Sequence, residues 1–193
     1  MESLRQPLEQ GEVSLRRTGG ETAFPARIQL VLAANPCPCA KPAGDPACEC
    51  TALARRRYLA RLSGPLLDRI DIQVTLEPLT TAALLDESAV SESSALVADR
   101  VAKARAAAVA RWAADGWRNN AEVPGAALRS PAWRLPRSVL APVRQLLDRG
   151  ELSARGYDRV VRLAWTVADL AGRARPNRGD VCEATELRRG ELG

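Results

Sequence analysis

Residues 28–39 read IQLVLAANPCPC, an apolar run that stops at Asn35 and is followed at once by Pro36 and two cysteines. Such a run, bounded by a proline, is typical of a central strand buried on both faces of a parallel sheet. Open α/β sheets bind ligands beyond the carboxyl ends of their strands. The run therefore predicts an α/β core with Asn35 placed near a ligand, although Asn-Pro is also an ordinary turn.

The residues on either side of this run predict more strands. GEVSLRR (11–17) and TAFPARIQLVLAA (22–34) flank a Gly19-Gly20 pair, and Gly-Gly between strand-like segments indicates a hairpin. Apolar residues alternate over 70–78, which predicts a second core strand. Residues 3–10 have helical spacing but no N-cap, and look like the end of a helix.

The remainder of the chain predicts helices. The N-cap residue Ser153 and the terminal glycines Gly116, Gly150 and Gly172 mark helix ends. The expected helices cover 51–62, 94–116, 137–150, 153–172 and 178–190. We therefore expect a strand-bearing region over 1–78, a polar connector over 79–91 and an all-helical region over 92–193.

Composition limits the classes of function. Among 193 residues there are 28 Lys and Arg against 23 Asp and Glu, and only Lys41 and Lys103 are lysines. An arginine-rich surface suits phosphate partners, but a GC-rich genome also writes arginine in place of lysine. The sequence contains no histidine, which excludes His-based catalysis. With no signal-peptide core and no stretch near the roughly 18 apolar residues of a membrane span, we expect a cytoplasmic protein and no membrane partner.

Four of the five cysteines follow the apolar run in the pattern C-x-C-x8-C-x-C, namely Cys37, Cys39, Cys48 and Cys50. Disulfides are rare in the cytosol, and paired cysteines are the usual way to supply four thiolates to a tetrahedral Zn²⁺. Structural zinc sites more often separate paired cysteines by two to four residues. A structural metal site is the favoured interpretation, with free or redox-active thiols and disulfides as alternatives.

Taken in order, five motifs resemble the C-terminal portion of the magnesium-chelatase-like AAA+ ATPases, the family of the YifB and ComM competence proteins. The motifs are LRQPLE, GEVSLRR, FPARIQLVLAANPCPC, YLARLSGPLLDRIDI and LSARGYDRVVRLAWTVADLAG. The resemblance covers nearly the whole chain. It implies a partial P-loop NTPase α/β core followed by a helical lid.

The resemblance also implies roles for single residues. Asn35 matches sensor 1, Arg69 the arginine finger that acts in trans, and Arg155 sensor 2. The hairpin resembles the pre-sensor 1 insertion, so Arg16 and Arg17 become candidates to contact DNA in a hexamer pore. In the complete family protein the cofactors are ATP and Mg²⁺, and ComM-type proteins are hexameric helicases that promote branch migration of single-stranded or branched DNA in natural transformation.

The sequence departs from the family at several positions. No G-x-x-x-x-G-K-[ST] occurs in it, and the resemblance implies that Walker A and Walker B precede residue 1. We therefore expect this polypeptide alone not to hydrolyse ATP, and expect an incomplete gene product or split reading frame. Ala40 stands where the family has glycine, and Asp158 where a histidine is common. Two alternatives remain open: a non-catalytic, zinc-stabilised DNA-binding or assembly module, and the motor subunit of a magnesium-chelatase-like complex.

Overall fold

The computed structural model of the protein describes residues 4–41, 48–62, 64–76, 80–81, 85 and 92–190. The chain divides into two compact units, Met1–Ile70 and Asp71–Gly193. The predicted connector, 79–91, lies outside the described residues except at positions 80, 81 and 85. None of the described helices combines the length and the apolarity that a membrane span requires.

The first unit begins with a short helix and a β-hairpin. Helix α1 (Arg5–Gln10) ends at Gly11, whose φ of 69° lets the chain turn directly into the hairpin. Strands β1 (Glu12–Arg17) and β2 (Gly20–Pro25) pair antiparallel, with Leu15 opposite Thr22. The predicted hairpin is confirmed, and residues 18 and 19 form its tip.

The two predicted core strands are not formed. Residues 28–34 and the described part of 70–78 have no strand conformation, and β1 and β2 form the only sheet in the part of the chain that is described. A strand needs a neighbour to satisfy its backbone groups, and no described segment provides one. The side chains of Val31 and Leu76 are 83% and 87% exposed, which corrects the expectation of burial on both faces. The partial P-loop core is thus not present as a sheet in the described residues.

Two short helices follow the cysteines. Helix α2 (Ala52–Leu59) lies within the predicted helix 51–62 and begins where the Thr51 hydroxyl accepts a hydrogen bond from the amide of Ala54, at 3.1 Å. Helix α3 (Gly64–Leu67) buries Leu66. None of the residues of α2 is buried, in contrast to the helices of the second unit.

The second unit is helical, as predicted. Ser153 caps α7 by accepting a hydrogen bond from the amide of Gly156, at 3.0 Å. Asn177 caps α8 (Arg178–Arg189) in a capping box with Asp180. The helices are α4 (Ser94–Trp112), α5 (Gly125–Leu128), α6 (Ala141–Asp148), α7 (Ala154–Leu170) and α8 (Arg178–Arg189), with 3-10 turns at Ala113–Asp115 and Asn120–Glu122.

The core of this unit is built around tryptophans. Trp112 and Trp165 are fully buried, with ring centroids 5.7 Å apart in an edge-to-face arrangement, and Trp133 lies 4.5 Å from Trp112. Edge-to-face aromatic pairs contribute beyond their buried area. Aliphatic side chains from α6, α7 and α8 fill the remaining space: Val143, Val160, Val161, Ala164, Val181 and Ala184.

A buried polar network lies beside these rings. The Asp169 carboxylate, with a side chain only 1% exposed, pairs with Arg111 and accepts a hydrogen bond from the amide of Asn120, at 2.9 Å. The side-chain oxygen of Asn120, Oδ1, accepts a hydrogen bond from the Trp112 indole N–H at 2.8 Å. The Arg111 guanidinium also lies 4.4 Å from the ring centre of Trp165. Because each group has several partners, this network fixes how α4 packs on α7.

Candidate functional site

Four thiols come together in the first unit. The Sγ atoms of Cys37, Cys39, Cys48 and Cys50 all lie within 4.8 Å of one another, and all four are free thiols. Cys37 Sγ is 2.9 Å from that of Cys39 and 3.6 Å from that of Cys48. The structure thus brings together the four residues that the spacing singled out. It favours a ligand cluster over disulfides, while the metal itself stays a prediction.

The thiols perturb one another's ionisation. A hydrogen bond with Cys39, together with burial, raises the pKa of Cys37 to about 12. The same bond, seen from the other side, lowers the pKa of Cys39 to about 7, helped by a backbone hydrogen bond at Lys41. Hydrogen bonding to Cys39 also raises the pKa of Cys50. In the Cys37–Cys39 pair, the Cys37 thiol therefore donates a hydrogen bond to the thiolate form of Cys39.

The cluster has the chemistry and dimensions of a zinc site. Four thiolates bound at about 2.3 Å in a tetrahedron lie about 3.8 Å from one another. The Cys37–Cys48 and Cys39–Cys48 separations, 3.6 and 3.5 Å, are close to that value. Cys37 and Cys39 are nearer, and would separate slightly around an ion. With four protein thiolates, a tetrahedral ion has no coordination position left for a substrate, so the cluster fits a structural metal.

A tight turn holds the first cysteine pair. The Cys37 carbonyl accepts a hydrogen bond from the amide of Ala40, at 3.1 Å. Ala40 has a φ of 60°, in the left-handed region, and among the described residues it is the only one other than glycine with a positive φ. The left-handed conformation crowds a Cβ and favours glycine. The turn thus explains why glycine would suit this position better than the alanine found here.

Asn35 lies two residues before the cluster, and its side chain is exposed. It follows a segment that is not a strand, so the structure does not place it at the end of a core strand as the sequence analysis expected. No hydrogen bond joins it to Arg69. Its role as sensor 1 stays a prediction.

Arg69 lies in the turn after α3 and is held by its own unit. Its guanidinium donates to the carbonyl of Pro65 and to the Glu9 carboxylate, at 2.7 Å in the second case, and its side chain is 11% exposed. Its Nε is buried without a hydrogen-bond partner in the described part of the chain. Sequence reasoning missed Glu9, because nothing in a local pattern indicates a partner sixty residues away. As an arginine finger, Arg69 would have to leave Glu9.

Arg155 belongs to the helical unit. It lies in the first turn of α7, two residues after the N-cap Ser153, and its side chain is exposed. A helix N-terminus favours negative charge nearby, which suits a residue expected to contact phosphate. The role of Arg155 as sensor 2 stays a prediction.

The hairpin presents the two predicted DNA contacts at its tip end. Arg16 is opposite Glu21 and Arg17 is opposite Gly20. The Arg16 guanidinium lies 3.1 Å from the Glu21 carboxylate, yet the Arg16 side chain is 82% exposed. An exposed ion pair of this kind contributes little to stability. Both arginines are therefore accessible on the described surface, and exchanging Glu21 for a phosphate would cost little.

Comparison with known proteins covers both halves of the chain. Residues 1–84 match magnesium chelatase, subunit ChlI, and residues 91–188 match the C-terminal family of the same subunit. An uncharacterized protein of Mycobacterium tuberculosis is 50% identical over 97% of this chain and 37% of its own length. Competence protein ComM of Haemophilus influenzae is 33% identical over 89% of this chain, and the uncharacterized protein YifB of Escherichia coli is 34% identical over 88%.

The chain spans about a third of the length of these curated relatives, 37%, 33% and 32% respectively. The two family matches together extend over almost all of the described residues, and the relatives ComM and YifB agree with them. On this evidence the chain belongs to the magnesium-chelatase-like family of AAA+ proteins that includes ComM and YifB.

Proposed function

We propose that the chain supplies the sensor, arginine-finger and lid residues of a ComM-type AAA+ ATPase that remodels DNA. The observation that carries this proposal is the match to magnesium chelatase subunit ChlI on both halves of the chain. The name of the Haemophilus relative, competence protein ComM, supports a role with DNA. We further propose a cytoplasmic hexamer as the working assembly.

In this proposal three polar residues act on the nucleotide. Phosphoryl transfer depends mostly on positioning and on stabilising charge at the transferred group. The Asn35 amide would orient the attacking water, the Arg69 guanidinium would neutralise charge on the nucleotide of a neighbouring subunit, and Arg155 would bind phosphate from the lid. Mg²⁺ would neutralise the phosphate oxygens. Because no P-loop motif occurs among the 193 residues, these side chains would act on a nucleotide held by a P-loop outside them.

The Arg69–Glu9 contact fits a resting arrangement of such a finger. The Glu9 carboxylate, 33% exposed, occupies the guanidinium edge that a γ-phosphate would take. A carboxylate and a phosphate are both bound by the same planar fork. A nucleotide presented by a neighbour would therefore compete directly with Glu9 for Arg69.

The arginine-finger role can be tested by complementation. A relative whose own sequence contains a P-loop motif would be prepared with alanine at the position aligned with Arg69 and mixed with this chain. We expect the chain to restore ATP hydrolysis by supplying Arg69 in trans, a contribution on the order of 10³-fold for an arginine finger. The Arg69→Ala chain should restore none, and the Arg105→Ala chain, changed at an exposed arginine of α4, should match the unaltered chain.

The outcome is unambiguous in either direction. Equal restoration by the unaltered and Arg69→Ala chains would remove Arg69 from the mechanism. Failure of the unaltered chain to restore activity, although it co-elutes with the relative, would also count against the proposal. ATP hydrolysis by the purified chain alone would contradict the assignment of the nucleotide to an outside P-loop.

The DNA role is tested on the hairpin. Binding of fluorescein-labelled single-stranded and branched DNA would be measured by anisotropy at several salt concentrations. For single strands each lost phosphate contact lowers the slope of log K against log salt by about 0.7. The Arg16→Ala, Arg17→Ala double variant should therefore lower it by about 1.4. An unchanged slope would exclude the hairpin as a DNA contact.

A second candidate is a non-catalytic, zinc-stabilised DNA-binding or assembly module. The complete cysteine cluster favours it, because the four ligands converge without any help from a nucleotide site. DNA binding without any restoration of ATP hydrolysis in the complementation experiment would select it. The third alternative, a motor for metal insertion, would instead require a porphyrin-binding partner subunit.

A further inference from the structure

Helix α2 and the turn after it present four arginines to solvent. These are Arg55, Arg56, Arg57 and Arg61, here called the arginine surface, and all four are exposed. The described segment 48–62 contains a single acidic residue, Glu49, so it has four positive charges and one negative charge. No ion pair with a carboxylate of the described residues holds any of them. By contrast, exposed arginines elsewhere often have one, as Arg100 has with Glu92 at 2.6 Å.

The four side chains spread around the helix axis. Arg61 lies in the turn after α2. The Ala60 amide still donates to the Arg56 carbonyl at 2.8 Å, so the helical path continues into this turn, and Arg57 and Arg61, four positions apart, share one side. Arg56 lies about 100° to one side of this pair, and Arg55 about 120° to the other. The positive charge thus covers most of the circumference over an axial length of about 9 Å. A single carboxylate could not pair with several of these groups, whereas a polyanion that runs along one side of α2 could contact two or three of them.

These arginines have no role in packing. No residue of α2 is buried, so the helix leaves its side chains available to a partner. Clustering of like charge in a helix is unfavourable on its own, because each i, i+4 pair of like charge costs a few tenths of a kcal/mol. Arg56 and Arg57 lie in the last turn of α2, where the helix dipole favours positive charge, but no carboxylate of the described residues neutralises any of the four. A bound anion would do so.

The cysteine cluster adjoins the start of α2. Cys50 belongs to the thiol cluster, and the next residue, Thr51, caps the helix through its hydroxyl. The Thr51 carbonyl also accepts a hydrogen bond from the amide of Arg55, at 3.0 Å. The last ligand and the first helical turn are therefore consecutive, and an ion that fixes Cys50 also fixes the start of the arginine surface.

We infer that the arginine surface binds the phosphate backbone of DNA, and that a metal ion held by the cysteine cluster positions the arginine surface. Duplex DNA carries one charge per 3.4 Å along each strand, so about 9 Å of α2 spans two to three successive phosphates. Guanidinium groups bind phosphate oxygens in a planar, bidentate manner. The inference rests on the proposed DNA partner but assigns a contact separate from the hairpin, and it does not depend on ATP hydrolysis.

The test uses the full chain, purified with zinc, and fluorescein-labelled dT25 and branched DNA. The Arg57→Gln, Arg61→Gln double variant removes the two positive charges that share one side, and glutamine keeps a good helix propensity. The control double variant, Arg105→Gln with Arg178→Gln, removes the same charge from exposed positions of the helical unit. Circular dichroism would check that each variant is folded.

We expect the Arg57, Arg61 variant to lower the salt slope for dT25 by about 1.4 relative to the control variant. The quadruple variant of the arginine surface should lower it by about 1.4–2.1, because the surface spans two to three phosphates. Removing zinc with a chelator should weaken DNA binding by the unaltered chain but have no further effect on the quadruple variant. Affinity that zinc removal leaves unchanged would overturn the positioning role of the metal.

The remaining outcomes separate this inference from the hairpin assignment. If the Arg57, Arg61 variant behaves like the control while the hairpin variant loses affinity, the arginine surface is wrong and the proposed DNA role stands. If the reverse holds, the arginine surface is supported and the hairpin is excluded. If the unaltered chain binds neither DNA, both are overturned; tight binding of an acidic protein instead would assign the surface to protein contacts.

Discussion

Replacing Ala40 by glycine should strengthen metal binding by the cysteine cluster. Ala40 has a φ of 60° in the turn that closes between its amide and the Cys37 carbonyl. The left-handed conformation costs a non-glycine residue about 1–2 kcal/mol. Glycine removes that cost but has more freedom to lose when the turn forms, about 0.4–1 kcal/mol. The net gain is therefore about 0.5–1 kcal/mol.

This free energy enters the metal affinity because the ion requires the turn that brings Cys37 and Cys39 together. A gain of about 0.5–1 kcal/mol is equivalent to a two- to fivefold tighter Kd for zinc, since 1.4 kcal/mol is tenfold. The assay is competition for Zn²⁺ against a chromophoric chelator at fixed pH, under anaerobic conditions that keep the thiols reduced. Fixed pH matters because zinc binding releases thiol protons.

The matched control is Ala34→Gly. Ala34 is exposed, lies outside the turn and does not have a positive φ, so glycine there brings only the added freedom of the chain. We expect its zinc affinity to be unchanged or slightly weaker. If Ala40→Gly binds zinc no more tightly than Ala34→Gly, the left-handed turn is not part of the metal-bound state, and the reasoning fails.

Three further predictions concern the helical unit. Asp169→Ala should destabilise the helical unit by about 3–5 kcal/mol, because it leaves the Arg111 charge buried without its partner; Asp99→Ala, which breaks the exposed pair with Lys103, should cost less than about 1 kcal/mol in the same urea titration. Asn177→Ala removes the cap of α8 and should cost about 1 kcal/mol, measured as a lower thermal midpoint, while a midpoint equal to that of the unaltered chain would refute the cap. Zinc removal should leave the tryptophan fluorescence unchanged, since all four tryptophans lie in the helical unit; a shift of the emission maximum would contradict its independent core.

Helix ends were predictable because their signals are local. Ser153 caps α7 as expected, and Gly116, Gly150 and Gly172 adopt the positive φ values of 76°, 71° and 68° that the sequence pattern indicates. A capping side chain and its amide lie within three residues of each other, so a short window contains the whole interaction. The hairpin was equally local, because its turn and its two strands are contiguous.

The prediction of two core strands was wrong because the interactions that form a strand are not local. The run over 28–34 has the composition of a buried strand, but a strand exists only through its neighbours, and composition does not state that a neighbour is present. The partner of Arg69 was missed for the same reason, since Glu9 is distant in sequence. The convergence of the four cysteines was predictable because residues of one ligand type in a short segment can meet locally, while metal binding by them stays a prediction. The left-handed φ of Ala40 was not predictable, because alanine rarely adopts that conformation.

The cysteine cluster and the tryptophan core therefore have different roles. The helical unit is organised by its own buried side chains, and Trp112, Trp165 and Asp169 would hold it together without a ligand. Helix α2 has no buried residue, and only Ala54 and Tyr58 on it are half-buried. Packing therefore holds it less firmly than the helices of the second unit, and its N-terminus is joined directly to Cys50 of the cluster. A structural ion bound by the four cysteines would stabilise little apolar surface. In our proposal its effect would be to order the arginine surface in advance, which would lower the conformational entropy lost on binding a polyanion.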